Sequence, residues 1–235
     1  MAIFKMTYNE GTDSVILVNH GCNYSCSICS YRLREGMEPN RFFQPSEVEG
    51  YLMEADPSMV MIIGGEPTTW CDLYRIARFC KDELGAYVKI PHSNLSNLPP
   101  MEVDEVGVSL FALSKRKYTQ LTGGQNSRVL SNIYKVYDRG TRLSVSTILI
   151  PDFIGTEEVV SIARFLAGID EGIPLHVISY LPVPGMSWRR PSREEMDRTV
   201  EACRDVLRNV TGTYMTAGLA ARMDDVYLAQ DVRVA

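Results

Sequence analysis

Six apolar, β-branched runs constrain the fold of this chain more than any other feature: Ser14–Asn19, Met59–Ile63, Ala86–Ile90, Glu105–Leu110, Leu143–Ile150 and Leu175–Tyr180. Each has the length of one strand. Most lack the polar alternation of a sheet with one wet face, which predicts strands covered on both sides, as in a parallel sheet. Helical patterns fill the gaps between them. Pro45-Ser46-Glu47 opens one that runs to about Ala55, and Asp72–Glu83 carries Leu73, Ile76, Ala77 and Cys80 at helical spacing. Asn126–Arg139 stops at Gly140, Thr156-Glu157-Glu158 begins another helix, and Ser192 with Glu195 three residues on forms a capping-box pattern. The alternation predicts an α/β fold with outer helices, either a partial (β/α)6 TIM-like barrel or an open doubly wound sheet of parallel strands. Both geometries place the active site at the C-terminal ends of the strands. His20-Gly21-Cys22, Gly64-Gly65-Glu66-Pro67, His92-Ser93-Asn94 and Pro182-Val183-Pro184-Gly185 all follow strands and are expected on one rim.

The 235 residues fit a single domain over 1–235, with a C-terminal tail from about 218 to 235 to which no element is assigned. Apolar residues make up 45% and charged residues 23%, which excludes a disordered chain. No apolar run approaches the roughly 18 residues of a membrane span, and no basic segment leads into an apolar secretory core. The expected location is a reducing cytoplasm. The net charge of −5 and a longest basic tract of Lys115-Arg116-Lys117 argue against a nucleic-acid partner.

Cys22, Cys26 and Cys29 form C-x-x-x-C-x-x-C. This spacing also marks one face of a helix, but Gly21, Asn23, Ser25, Ser27 and Ser30 favour turns and caps, so a loop is expected. Clustered cysteines in a chain of this kind point to metal ligands rather than disulfides. Zinc would require four protein ligands, or three and a water. Three thiolates on a short loop suit a [4Fe–4S] cluster better, leaving one iron open where no fourth cysteine follows. His20 is a further candidate for the fourth ligand, although it reads first as a strand-end residue. Cys71, Cys80 and Cys203 follow no ligand spacing and are expected to be buried thiols.

Gly21-Cys22-Asn23-Tyr24-Ser25-Cys26-Ser27-Ile28-Cys29, followed by Gly64-Gly65-Glu66-Pro67, resembles the radical S-adenosylmethionine superfamily. The likeness covers nearly the whole chain. It implies a partial (β/α)6 barrel whose Cys22, Cys26 and Cys29 bind a [4Fe–4S] cluster, with S-adenosylmethionine chelating the open iron. Reductive cleavage then yields methionine and a 5′-deoxyadenosyl radical that abstracts hydrogen. The resemblance implies cofactor contacts from Gly64, Gly65, Glu66 and Pro67 around the cofactor's ammonium, and from Ser93 and Asn94 near its ribose or carboxylate. Ser109 and Ser146, on the fourth and fifth of the six strands, are further polar candidates. Ile28 stands where the family often has an aromatic residue near the adenine, so it offers apolar contact without stacking.

The small size and the Leu175–Pro182 strand exit are similar to the pyruvate formate-lyase-activating branch, although Ser109 and Phe111 stand where that branch has an acid and a lysine. The substrate classes implied are a glycyl-radical protein, a peptide or a small metabolite, with flavodoxin or ferredoxin as electron donor. A non-catalytic iron–sulfur or zinc module is the alternative function. His92 and His176 read as packed histidines and Arg189 as a solvated cation or an anion clamp.

Overall fold

The computed structural model describes residues 2–29 and 39–216, so the tail from about 218 to 235 lies outside the described residues. One sheet contains β1 (Ala2–Asn9), β2 (Ser14–His20), β3 (Met59–Ile63), β4 (Tyr87–Ser93), β5 (Glu105–Ser109), β6 (Arg142–Leu149), β7 (Leu175–Ser179) and β8 (Val210–Thr213). Their order in space is their order in the chain. β1 pairs antiparallel with β2, and every pairing from β2 through β8 is parallel. The helices are α1 (Pro45–Ala55), α2 (Leu73–Asp82), α3 (Lys115–Thr122), α4 (Asn126–Asp138), α5 (Thr156–Ala167) and α6 (Arg193–Arg204). Among the described residues β1 and β8 do not pair, so the barrel stays open.

The six apolar runs are β2 through β7. Their alternate residues, such as Leu17, Ile62 and Val106, are fully buried in one core with Leu52, Ile76, Ile133 and Ile162 of the helices. The capping box on α6 is present, with Ser192 Oγ accepting from Glu195 N and Ser192 N donating to Glu195 Oε2. Three elements escaped the sequence reading. β1 is amphipathic and only half covered, and β8 is four residues long with a glycine inside it. α3 opens on Lys115-Arg116-Lys117, cations where the helix dipole favours anions. Glu158 of α5 compensates, accepting from Leu113 N and Ser114 N at 2.9 Å each and pairing with Lys117 at 3.0 Å. The basic tract therefore forms the first turn of a helix, with Lys115 and Arg116 exposed.

A bulge in β4 sets the rim. The β4–β5 register shifts between Ile90 and Ser93, around Pro91, which has no N–H for the ladder. Gly107 opposite it accommodates the bulge, since a Cβ there would lie 2.0 Å from the Pro91 carbonyl oxygen. The bulge brings Ser93 and Asn94 to the same end of the sheet as Gly21 and Gly64.

Candidate metal and cofactor site

The two motifs are stitched together by backbone. Glu66 N donates to Gly21 O at 2.9 Å, and the buried Asn19 amide donates to Gly21 O at 3.3 Å and to Gly64 O at 3.2 Å. Gly64 and Gly65 both hold positive φ, 80° and 51°. At Gly65 the requirement is also steric, because a Cβ would lie 2.0 Å from Gly21 O. Glycine at 65 is thus explained first by the close passage of one motif under the other. Asn19 was not singled out in the sequence, where it reads as the polar end of an apolar strand.

The cysteine loop rests on the end of α3. Ser25 N donates to Thr122 O at 3.1 Å, and Ser27 gives its N–H at 2.8 Å and its hydroxyl at 3.2 Å to Leu121 O. The last carbonyls of a helix need outside partners, and here the loop supplies them. Gly123 ends α3 in the left-handed region at φ 72°, and Gly124 leaves space that the Tyr24 ring occupies, a Cβ there meeting it at 2.4 Å. Tyr24 in turn stacks edge-on against the fully buried Tyr118 of α3, with centroids 6.3 Å apart. The loop reading of Cys22–Cys29 therefore agrees with the structure, and the helix that seats it was the missing piece.

Glu66 is the hub of the site. It is 1% exposed, and among the described residues it forms no ion pair. Its Oε1 accepts from Thr68 N (3.1 Å), Thr68 Oγ1 (2.7 Å) and Ser93 Oγ (2.7 Å), and its Oε2 from Asn94 N (2.5 Å). A carboxylate has about four lone-pair sites, so Oε2 keeps one of its two open. Asn94 spends its side chain on the cysteine loop. Its Nδ2 donates to Asn23 Oδ1 at 2.9 Å and to Cys22 Sγ at 3.8 Å, while its Oδ1 accepts from Ser96 N at 2.9 Å. Asn23 Nδ2 completes the ring of bonds by donating to Ser96 Oγ at 2.8 Å. Asn23 and Ser96 were also missed, because their role depends on partners 73 residues apart in the chain.

None of the three cysteines is in a disulfide; Cys22 is exposed and Cys26 and Cys29 are half-buried. Desolvation pushes the Cys22 thiol above its usual value, and the charges of Glu66 and Cys29 act in the same direction. The N–H of Tyr24 (3.4 Å from Sγ) and the Asn94 amide oppose this by favouring the thiolate. Among the described residues no three His, Cys, Asp or Glu side chains converge as they do on a single ion. Thiolates of a cubane each hold a different iron, so its ligands spread over several corners. Three thiols outside any disulfide on one seated loop, with Cys22 already receiving N–H donors, fit such a cluster.

Of the other cysteines, Cys80 and Cys203 are buried as expected, and burial pushes their thiols up to about 12 and about 11. Cys71 is exposed, contrary to expectation, because it precedes the first turn of α2 rather than lying on its buried face. Alkylation of the native protein near pH 8 will label Cys71 and spare Cys80 and Cys203, since only accessible thiolate reacts. Peptide mass spectrometry reads the result, and native-state labelling of Cys80 would contradict the packing of α2.

The remaining expected residues take these places. Pro67 is buried and opens a single 3-10 turn, Pro67–Thr69. Ile28 is partly buried against the core. Ser109 of β5 and Ser146 of β6 are register partners, both half-buried, and His176 of β7 is the next residue across. His176 is locked by Thr211 and Thr213 of β8, at 2.7 and 3.0 Å from its two ring nitrogens. Ser93 Oγ is engaged by Glu66 and by Leu95 N. The His20 ring packs near Phe4 and Phe42, and His92 is exposed. Arg189 clamps Glu195 with two bonds of 2.8 and 2.7 Å, an ion pair that holds the Glu195 carboxyl down to about 2.

An open parallel barrel carrying a three-thiol loop and a glycine turn on its C-terminal rim defines an α/β protein with its candidate site at the strand ends. The family model described as the radical SAM superfamily matches residues 16–166, and the chain belongs to that superfamily. The family uses a [4Fe–4S] cluster and S-adenosylmethionine. A Methanocaldococcus jannaschii protein provisionally named a glycyl-radical enzyme activating enzyme is 26% identical over 212 residues, covering 85% of this chain and 80% of its own length. A Methanococcus aeolicus protein provisionally named a GTP 3′,8-cyclase is 23% identical over 182 residues, covering 72% of this chain and 59% of that one. The crystal structure of Streptococcus suis SuiB bound to S-adenosylmethionine superposes with a TM-score of 0.66 at 18% identity. That match covers 87% of this chain and 52% of SuiB, and shows the shared TIM-like fold.

Proposed function

We propose that Cys22, Cys26 and Cys29 hold a [4Fe–4S] cluster and that the chain is a radical enzyme acting on a glycyl-radical protein, with a peptide or small metabolite as the other substrate classes. One observation carries the reading: Glu66 N donates to Gly21 O at 2.9 Å, which fixes the ammonium-binding turn against the cysteine loop. A purely structural metal site has no use for that turn. The protein substrate is supported by the relative named an activating enzyme, which matches over most of both chains.

When bound, the cluster and S-adenosylmethionine would supply one-electron reductive cleavage and hydrogen-atom abstraction. This chain's residues orient the partners. Backbone carbonyls of Gly64 and Gly65 and the open lone pair of Glu66 Oε2 would accept from the cofactor's ammonium, a charge-assisted bond roughly twice as strong as a neutral one. Ile28 and Pro67 give apolar contact, Ser109 and Ser146 supply hydroxyls, and Ser93 and Asn94 hold Glu66 in place. Flavodoxin or ferredoxin is the proposed electron donor. Among the described residues no helix is long and apolar enough to cross a membrane.

The reconstituted protein, reduced with dithionite, will form 5′-deoxyadenosine and methionine in equal amounts even without its substrate. Methylthioadenosine or S-adenosylhomocysteine as sole product would overturn the reading, as would one zinc with no sulfide.

A further inference from the structure

We infer that Glu66, beside its proposed contact with the cofactor, and Asn94 set the reduction potential of the cluster from opposite sides, through the Cys22 sulfur. The inference rests on the cluster assignment above and goes beyond it. Two features carry it. The Glu66 carboxylate is 1% exposed and surrounded by neutral donors, with no cation paired to it among the described residues. The Asn94 backbone N–H binds that carboxylate at 2.5 Å while its side-chain amide reaches Cys22 Sγ at 3.8 Å, so one residue bridges the buried charge and the thiol. The amide orientation is fixed, because Oδ1 is taken by Ser96 N and Nδ2 by Asn23 Oδ1.

The physics assigns the signs. The couple is a one-electron reduction of the cluster by an external low-potential donor, with no bond formed or broken. The incoming electron makes the cluster more negative. A fixed carboxylate nearby disfavours that state, and an N–H bond to a ligand sulfur favours it. Glu66 therefore lowers the potential and Asn94 raises it.

The test is a redox titration of reconstituted full-length protein with dithionite and mediator dyes, followed by electron paramagnetic resonance, with iron and sulfide counted in each sample. Glu66→Gln, which keeps shape and removes charge, should raise the midpoint potential. Asn94→Ala, which removes the amide, should lower it. Each shift is expected at about tenfold in the reduction equilibrium, 59 mV for one electron. A role confined to holding the loop would reduce iron content in both variants without moving their potentials in opposite directions. Shifts of the same sign, or none at full iron content, overturn the inference. Should Glu66→Gln fail to fold, Asn94→Ala alone decides, and an unchanged or higher potential overturns it. Absence of iron and sulfide from the unmodified protein would instead overturn the cluster assignment itself.

Discussion

Replacing Cys22, Cys26 or Cys29 singly by alanine will remove the charge-transfer absorbance expected of the reconstituted protein or its expected cleavage of S-adenosylmethionine, while Cys71→Ala, Cys80→Ala and Cys203→Ala will keep both. Loss of an outer-shell partner alone typically costs 10–100-fold, so loss of a ligand should lower reductive cleavage of S-adenosylmethionine by more than about 100-fold. The fold should survive, because the loop is seated through backbone groups: Ser25 and Ser27 on α3, and Gly21 O under Glu66. Circular dichroism and thermal unfolding should therefore match the unmodified chain while iron content falls. An iron-replete Cys26→Ala protein beside an iron-free Cys203→Ala protein would reverse the ligand assignment.

The second large effect is on stability. Gly65→Ala combines a left-handed backbone with a Cβ placed 2.0 Å from Gly21 O, backbone against backbone, where no flexible side chain can yield. The conformational part costs about 1–2 kcal/mol and overpacking about 1–3 more, so roughly 2–5 kcal/mol of destabilisation is expected. Gly85→Ala is the internal control: its φ is also positive, at 62°, but nothing lies within 4 Å of the added Cβ. It should lose only the conformational part, about 1–2 kcal/mol. Urea unfolding of both variants measures the difference, and equal losses would show that the two motifs do not press together at residue 65.

The parallel core was legible because burial on both faces leaves unbroken apolar runs, which is why β2 through β7 stood out. Strands with one wet face leave no such run, so β1 was passed over, and the four residues of β8 are too few to show any period. The cysteines and the glycine turn were legible because their chemistry is local to a few residues. Asn19, Asn23, Ser96 and the seat formed by α3 were not. Each acts through a partner distant in the chain, and an asparagine or a glycine pair carries no mark of what it will meet. Glu66 lies between these cases: its identity was visible, but its four donors from Thr68, Ser93 and Asn94 appear only when β3 and β4 lie side by side.

Strand order that follows chain order has a consequence for biogenesis. Each parallel strand docks on the one made just before it, so most of the sheet can assemble progressively as the chain leaves the ribosome. The cysteine loop is the exception, since Ser27 and its partner Leu121 lie 94 residues apart. At about 5–20 residues per second, that separation amounts to roughly 5–20 s of synthesis. During that interval the thiols of Cys22, Cys26 and Cys29 have left the ribosome without the helix that seats them. The seat of this loop is accordingly a late element, complete only after the first four parallel strands and α3 have been made.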